Sequence, residues 1–318
     1  MITVYKKNND DTLIELQDIE KNSWVNIIQP KPKELQEVSS KLGIPLDFFT
    51  DVLDPDERSR VEVEDNVKLL IIRAPMRNKK AGTEGEEDEV PFITIPVGII
   101  LTEENVVTIS SNPEIVWELL SFRIITKDFS GDNRKLMVFR ILQRTVLLFL
   151  KYLKEINQKI KAVEDELQNS MRNEDLMRLF SLEKSLVFFT TSLKSNELMT
   201  EKMLRMNILR FRDEDKDLLE DIIIDNRQAI EMSNIYSSIL KDMMDTFSSI
   251  IGNNLNKVMK TLTSITIILM IPTLVSSYYG MNVHLPLQDH PHAFLFTLFL
   301  SFLLTAGGVM FFMKRNLF

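Results

Sequence analysis

The sequence predicts an α/β domain in the N-terminal part of the chain, followed by long helices that lead into two C-terminal transmembrane helices. Short apolar runs separated by turn residues fill the first part of the chain, and heptad-like helical patterns follow them. No Asp, Glu, Lys or Arg occurs between Lys260 and Asp289, or between Asp289 and Lys314. Each of these gaps exceeds the roughly 20 apolar residues that cross the hydrocarbon core of a bilayer.

Strand and helix signals alternate within the first 130 residues. Four apolar, β-branched runs predict strands: SWVNIIQP from Ser23, KLLIIRAPM from Lys68, FITIPVGIIL from Phe92 and NVVTIS from Asn105. A polar TEEN turn lies between the last two runs. A helix is expected in PKPKELQEVSSKLG, which a proline opens and Gly43 closes, and another is expected to start at Asn112-Pro113. The range 1–130 is therefore expected to be a cytoplasmic α/β domain.

The rest of the chain is predicted to be helical. Two heptad-like patterns in 131–217, joined by a polar turn near 171–175, predict an antiparallel cytoplasmic hairpin. A third pattern starts near Leu218 and contains no proline before Pro272. It predicts a stalk helix that continues into the membrane. The expected segments are the stalk 218–260, a first transmembrane helix 261–281, an external link 282–292, a second transmembrane helix 293–313 and a basic cytoplasmic tail 314–318.

Charge and composition indicate the cellular location of the protein and argue against several functional classes, such as nucleic-acid-binding proteins and enzymes. Basic residues before the first span and after the second place both termini in the cytoplasm, with the protein in the cell membrane. The N-terminus lacks the apolar core of a cleaved signal. A net charge of −8 disfavours nucleic acid and favours cations, and a chain without cysteine has no thiolate metal ligands. Neither a phosphate-binding loop nor a nucleophile elbow occurs, so we do not expect an enzyme.

A polar stripe follows the long helix in alternating steps of four and three residues. Its members are Asp242, Asp245, Ser249, Gly252, Asn256, Met259, Thr263, Thr266, Met270, Thr273 and Ser277. A coiled coil would place Leu and Ile at such positions. Small residues can instead mediate a tight contact between helices, which is one interpretation. The other is a pore lining, which requires several copies of the chain because two spans cannot enclose water. The second span, read as uniformly apolar, would then face lipid.

The end of the first span carries a family signature. Tyr279-Gly280-Met281-Asn282 at this place resembles the signature of the CorA magnesium transporter family. The segment NNLNKVMKTLT from Asn253 is similar to the conserved segment that precedes the membrane in that family, and the tail KRNLF is similar to its basic tail. The order of domain, hairpin, stalk and two spans is similar over the whole chain.

The resemblance implies a funnel-shaped homopentamer that transports Mg²⁺, commonly accepts Co²⁺ and Ni²⁺, and closes when intracellular Mg²⁺ binds between cytoplasmic domains. It implies a selectivity filter of Gly280, Met281 and Asn282, in which the glycine ends the helix and turns the backbone so that Asn282 points inward. It also implies an inner ring at Asn256, a carboxylate ring at Asp245, an apolar gate of Met259, Leu262 and Met270, and a pore position at Thr273. Leu262 lies one position off the stripe. A regulatory Mg²⁺ would be held by Asp88 or Glu89 facing Asp221 or Asp225 of the neighbouring stalk.

Some features depart from the family pattern or remain open. The link VHLPLQDHPHA carries no glutamate, and Ser277 stands where the family usually has glycine. The three histidines of the link, His284, His290 and His292, fit either a solvated loop or a site for Zn²⁺, Co²⁺ or Ni²⁺. The acidic run 83–89 is either a solvated turn or part of the Mg²⁺ sensor. Alternative functions are zinc or other divalent-cation transport by the same architecture, and a membrane-anchored scaffold.

Overall fold

The computed structural model describes residues 1–8, 12–78, 90–119, 134–169, 173–282 and 291–315. The chain divides into two compact units, Met1–Lys241 and Asp242–Phe318. One long helix contributes to both units, and each unit is described separately below.

A seven-stranded mixed sheet forms the centre of the first unit. Its strands are β1 (Ile2–Lys7), β2 (Leu13–Leu16), β3 (Ser23–Ile28), β4 (Arg60–Glu64), β5 (Val67–Arg77), β6 (Phe92–Leu101) and β7 (Val106–Ser110). They lie in the order β2-β1-β3-β7-β6-β5-β4, and the β3–β7 pair is parallel whereas the other pairs are antiparallel. The four strands expected from the sequence are confirmed, and β1, β2 and β4 are additional.

Backbone and side-chain contacts close the turn between β6 and β7. The Thr102 N–H donates to the Asn105 carbonyl at 3.0 Å, and the Asn105 N–H donates to Thr102 Oγ1 at 2.9 Å. Thr and Asn favour such local bonds, which fix the TEEN turn. The turn aligns Leu101 with Val106 and sets the register of the whole hairpin.

Two short helices cover one face of the sheet. They are α1 (Pro32–Leu42) and α2 (Leu46–Leu53), and Phe48, Phe49 and Val52 of α2 pack with strand residues in one buried cluster. The helix expected from the sequence is confirmed for α1. Gly43, with φ 63°, ends it in the left-handed conformation, and the Ile44 N–H donates back to the Ser39 carbonyl at 3.1 Å.

Longer helices cover the other face. They are α3 (Pro113–Leu119), α4 (Arg134–Asn169) and α5 (Asn173–Arg205), and their buried residues form a second core with the sheet. Asn112 caps α3 as expected, because its Oδ1 accepts the Glu114 N–H at 2.8 Å. The expected turn at 171–175 extended too far, since α5 already begins at Asn173. Glu174 and Asp175 lie in its first turn, where the helix dipole favours acidic side chains.

The next helix, α6 (Asp213–Tyr279), packs into the core of the first unit through Leu219 and Ile222, and polar contacts also attach it to α5. Asn226 Nδ2 donates to the Leu193 carbonyl at 2.9 Å, and the hydroxyls of Thr190 and Ser233 are 2.8 Å apart. Arg227 donates to Glu197 at 2.6 Å and to Glu201 at 2.7 Å, and these hydrogen bonds raise the pKa of its guanidinium. These contacts hold the first part of α6 against the hairpin.

The start of α6 differs from the expectation. The sequence analysis placed it near Leu218, but the helix begins at Asp213. Three acidic residues fill its first turn, and the Asp215 carboxylate accepts the backbone N–H of Arg212 at 3.0 Å. Acidic side chains at a helix N-terminus satisfy unpaired N–H groups and interact favourably with the dipole.

The second unit contains the rest of α6 and the helix α7 (Ala293–Lys314). Both helices are long and apolar enough to cross a membrane. The buried or half-buried positions in the last five turns of α6 are called covered, and they are Thr261, Ser264, Ile268, Ile271, Pro272, Val275 and Tyr279. The half-buried positions of α7 are Ala293, Thr297, Leu300, Ser301, Thr305, Gly308, Val309 and Phe312. A Cβ on Gly308 would lie 3.0 Å from Ile271 Cδ1, which shows where the two helices approach each other.

The sequence analysis was therefore wrong to treat the second span as uniformly apolar. One side of α7 repeats small and hydroxyl-bearing residues, including Thr297, Ser301 and Thr305, about every fourth position. These side chains are half-buried, and the large apolar residues of α7, such as Phe299 and Phe302, are exposed. Small residues allow two helix backbones to approach closely in a membrane.

Gly98 should tolerate no side chain, because it lies in the middle of β6 beneath α2. A Cβ there would lie 2.5 Å from Val52 Cγ2 and 2.8 Å from Ile109 Cγ2. We expect Gly98→Ala to lower the free energy of unfolding of the first unit by about 1–3 kcal/mol through overpacking. Thermal unfolding of the full chain in detergent, followed by circular dichroism, measures this loss. Adding Val52→Ala should recover part of it, and a double variant no more stable than Gly98→Ala would contradict the explanation.

The adjacent glycines of α7 provide a matched test of the α6–α7 contact. We expect Gly308→Leu to lower the thermal stability of the second unit in detergent micelles, because the new side chain would displace Ile271. Gly307→Leu is the control, since a Cβ at Gly307 meets nothing within 4 Å in the described part of the chain. Equal melting temperatures for the two variants would mean that the helices are not packed at Gly308.

Candidate functional site

The polar stripe of α6 is exposed along its entire length in the single chain. All of its members from Asp242 to Ser277 are exposed, including Met259 at 52% and Met270 at 63%. Carboxylates, an amide, hydroxyls and two thioethers thus share one exposed surface. This surface, from Asp242 to Ser277, is called the stripe below.

The stripe lies on the side of α6 away from α7. Successive helical residues are separated by about 100° around the axis. The covered positions of α6 include Ser264, Ile268, Ile271 and Val275. At this spacing they lie on the order of 180° around the helix axis from Thr263, Thr266, Met270 and Thr273. The small residues of the stripe therefore do not pack against the second helix of the same chain. No other described residue of the chain covers them either.

Hydroxyl groups on the stripe donate their hydrogens to their own helix. Thr266 Oγ1 donates to the Leu262 carbonyl at 2.8 Å, and Thr273 Oγ1 donates to the Leu269 carbonyl at 3.1 Å. Ser249 makes the same bond to the Asp245 carbonyl at 3.1 Å. Since the hydrogens of these three hydroxyls are used, their remaining oxygen lone pairs are available as acceptors. The surface therefore suits a ligand that presents hydrogen-bond donors.

Large apolar side chains interrupt these acceptors at three positions. Met259, Leu262 and Met270 are each more than half exposed, and Leu262 lies at the edge of the stripe rather than on its centre line. Asn256 and Asp245 lie on the same side of α6, further toward its N-terminus. The structure therefore groups the sequence-predicted pore residues on one side of one helix, with polar and apolar zones in succession.

The signature residues directly follow the end of α6. The Gly280 N–H donates to the Ser276 carbonyl at 2.9 Å, and the Met281 N–H donates to the Tyr278 carbonyl at 3.3 Å. The helix tightens here before it ends, and Asn282 follows as an exposed residue.

Glycine at this position acts differently from the expectation. Among the described glycines only Gly43 has a positive φ, so Gly280 does not use a conformation that other residues cannot reach. Its contribution is the absence of a Cβ, which would lie 3.2 Å from the Ser276 carbonyl oxygen. A side chain would crowd the carbonyl that accepts the last helical hydrogen bond, and the tightened turn would have to shift.

The stalk carboxylates singled out by the sequence lie one turn apart on α6. Asp221 is exposed and Asp225 is half-buried, and neither forms an ion pair with any residue that the structure describes. Like charges at this spacing repel each other and destabilise a helix. Their expected partners Asp88 and Glu89 lie outside the described residues. Within the described ranges no three acidic or histidine side chains of one chain come together as a metal site.

Only one of the three histidines of the link lies among the residues that the structure describes. His284 and His290 lie outside the described residues, and His292 occupies the N-cap position of α7. Its backbone carbonyl accepts the Phe296 N–H at 3.0 Å. The role of the three histidines in metal binding therefore remains a hypothesis.

The sequence analysis missed the polar residues that hold the long helix in place. Asn226, Arg227 and Ser233 bind α5, and Thr297, Ser301 and Thr305 lie on the half-buried side of α7. The α7 residues carry a signal that could have been used, because small side chains recur every fourth residue within an apolar run. The α6 residues carry no comparable signal, since exposed polar residues occur at the same spacing.

Comparisons with known proteins agree with this architecture. The cobalt/magnesium transport protein CorA of Methanocaldococcus jannaschii is 29% identical over 304 residues, which cover 92% of each chain. The complete structure of the CorA magnesium transporter from the same organism superposes with a TM-score of 0.84 at 25% identity, over 99% of this chain and 98% of the other.

A further similarity concerns the fold alone. The cytoplasmic domain of ZntB from Vibrio parahaemolyticus matches 78% of this chain and 97% of its own length, with a TM-score of 0.58 at 11% identity. The model of the family described as CorA-like Mg²⁺ transporter protein matches residues 20–315, which is almost the whole chain. With a mixed-sheet domain, a long helix and two apolar C-terminal helices, this protein belongs to the CorA-like Mg²⁺ transporter family.

Proposed function

We propose that this chain forms a passive, gated pathway for Mg²⁺ uptake across the cell membrane, and that it also accepts Co²⁺ and Ni²⁺. Membership of a Mg²⁺ transporter family supports the cargo, and the relative from M. jannaschii is named a cobalt/magnesium transport protein. The observation that carries the proposal is the stripe, a mostly polar surface on the side of α6 away from α7. A polar surface at membrane depth must face water or protein rather than lipid.

We propose a homopentamer as the assembly that covers the stripe. Five copies of α6 would surround a central pathway, and five copies of α7 would form an outer ring toward lipid. The exposed large apolar residues of α7, including Phe299 and Phe302, suit hydrocarbon. The half-buried small side of α7 already packs on α6 and needs no second partner.

The proposed topology and domain limits follow the sequence. Both termini lie in the cytoplasm, and basic residues flank the two spans on that side. In this proposal the domain comprises 1–130, the hairpin 131–217 and the stalk 218–260. The first span is 261–281, the link 282–292, the second span 293–313 and the tail 314–318.

The proposed filter acts on a hydrated ion. Mg²⁺ keeps several waters because it gives them up at a high cost, and these waters present hydrogens outward. Amide oxygens of Asn282 and Asn256 and the free lone pairs of Thr273 accept such hydrogens. Neutral acceptors hold the ion less tightly than a carboxylate, and conduction requires binding weak enough for release. Asp245 would add a ring of negative charge at the cytoplasmic side.

The proposed gate is apolar. Met259, Leu262 and Met270 would narrow the pathway with side chains that offer no hydrogen bonds to a hydrated ion, and such constrictions close by losing water. When the gate opens, the membrane potential drives the ion inward. A divalent cation gains about 4.6 kcal/mol per 100 mV, so no energy-coupled enzymatic step is required.

We propose that intracellular Mg²⁺ closes the gate by bridging carboxylates between neighbouring cytoplasmic domains. Asp221 and Asp225 have no ion-pair partner among the described residues, so a cation between chains would relieve their repulsion. Asp88 or Glu89 of the adjacent subunit would complete the oxygen ligands. The ion shifts the population of closed channels by its differential affinity for the closed and open states.

Asn282→Ala tests the filter. We expect this variant to lose Mg²⁺ flux into liposomes loaded with a Mg²⁺-sensitive dye, because the ring of amide acceptors is lost. Size-exclusion chromatography should show an unchanged oligomer. Flux at the wild-type rate would exclude Asn282 from the filter.

Asn254→Ala is the matched control, since this exposed asparagine lies on the other side of α6 from the stripe. We expect it to keep its flux. Absence of any ion flux in the wild type would favour the membrane-anchored scaffold, and flux of Zn²⁺ without flux of Mg²⁺ would favour the zinc transporter.

The double variant Asp221→Lys with Asp225→Lys tests closure. We expect millimolar-scale Mg²⁺ to protect the wild-type stalk from protease, because the bridged subunits hold it in place. The double variant should lose most of this dependence on Mg²⁺, since lysine ammonium groups cannot coordinate a cation. Full Mg²⁺-dependent protection of the double variant would locate the sensor elsewhere.

A further inference from the structure

Four basic residues converge at one corner of the first unit, away from the residues discussed so far. Lys68 lies near the start of β5, Arg134 and Lys135 open α4, and Arg210 lies in the segment between α5 and α6. These four residues are called the basic corner. All belong to the compact unit Met1–Lys241.

Backbone carbonyls hold the basic corner together. Arg134 Nη1 donates to the carbonyls of Thr102, at 3.0 Å, and Glu103. Thr102 directly follows Leu101, which is the strand partner of Lys68, so Arg134 is brought to the end of the strand that carries Lys68. Lys135 Nζ donates to the Arg210 carbonyl at 2.6 Å, which links the start of α4 to the segment before α6.

No carboxylate among the residues that the structure describes forms an ion pair with any of these four cations. Acidic side chains nearby are used elsewhere: the Glu103 carboxylate accepts from Asn66 Nδ2 at 2.8 Å, and Asp213 pairs with Lys216 at 2.9 Å. Asp215 likewise lies 3.6 Å from Arg212. Four neighbouring cations without a described ion-pair partner are unusual in a chain with 46 acidic and 38 basic residues.

The electrostatic environment of Lys68 reflects this crowding. Burial lowers the pKa of the Lys68 ammonium, and the positive charges of Arg210, Arg134 and Lys135 lower it further. Like charges held together without a counter-ion destabilise one another. A bound anion near these four residues would relieve that repulsion.

We propose that the basic corner binds a small multivalent anion that carries phosphate groups, such as pyrophosphate or the polyphosphate of a nucleotide. The Arg210 guanidinium provides a planar pair of donors that matches phosphate oxygens, and Lys68 adds an ammonium group. Arg134 and Lys135 add positive charge while each donates to backbone carbonyls. The corner presents cations without a metal ligand of its own. It therefore prefers the metal-free anion to the Mg²⁺ complex, in which the metal neutralises part of the charge.

Calorimetric titration of the full chain in detergent with pyrophosphate, in the presence of a metal chelator, tests the proposal. We expect saturable binding that Lys68→Gln and Arg210→Gln each weaken roughly tenfold, since each removes a charge-assisted interaction. Lys194→Gln is the charge-matched control, because Lys194 is exposed on α5 and lies outside the basic corner. It should bind pyrophosphate as the wild type does.

Further titrations identify the anion, and the choice of variants separates a loss of binding from a loss of folding. Repeating the titration with ATP and with inorganic phosphate separates a nucleotide site from a polyphosphate site, and excess Mg²⁺ should weaken the binding of pyrophosphate. Arg210→Gln changes an exposed side chain outside the strands and helices, so the test does not depend on the folding of Lys68→Gln. Absence of saturable binding in the wild type, or unchanged affinity in Arg210→Gln, would overturn the proposal.

Discussion

A polar side chain at membrane depth needs water or protein beside it, and this constraint governs the second unit. The covered positions of α6 face α7, so no described residue of the same chain covers the stripe. Threonine hydroxyls partly meet the constraint by donating to carbonyls of their own helix. Their remaining lone pairs still require donors, which hydrocarbon cannot supply. The proposed assembly of several copies of the chain would meet this constraint.

The same helix meets a different requirement in the first unit. There its inner side packs into the domain core through Leu219 and Ile222, and polar bonds from Asn226, Arg227 and Ser233 fix it to α5. Directional hydrogen bonds specify the position of a helix along its neighbour more closely than apolar packing alone. In the first unit, α6 is thus fixed against α5. In the second unit, the side of α6 that carries the stripe is exposed.

Charge is distributed in a way that matches these two environments. Both spans lack ionised side chains, so neutral amide and hydroxyl oxygens are the acceptors nearest to the proposed filter. Among the described residues, Asp221 and Asp225 of α6 and the four cations of the basic corner have no ion-pair partner. Charges of opposite sign are thus concentrated at different places in the first unit.

The sequence by itself determined the elements whose causes are local. Strands β5 to β7, the end of α1 at Gly43, the cap of α3 at Asn112 and the two spans follow from apolar runs, turn residues and caps, because neighbouring residues decide them. Tertiary structure decided which side of α6 is covered and brought Lys68 near Arg134 and Arg210. Those features depend on residues far apart in the chain, whose contacts no local pattern encodes.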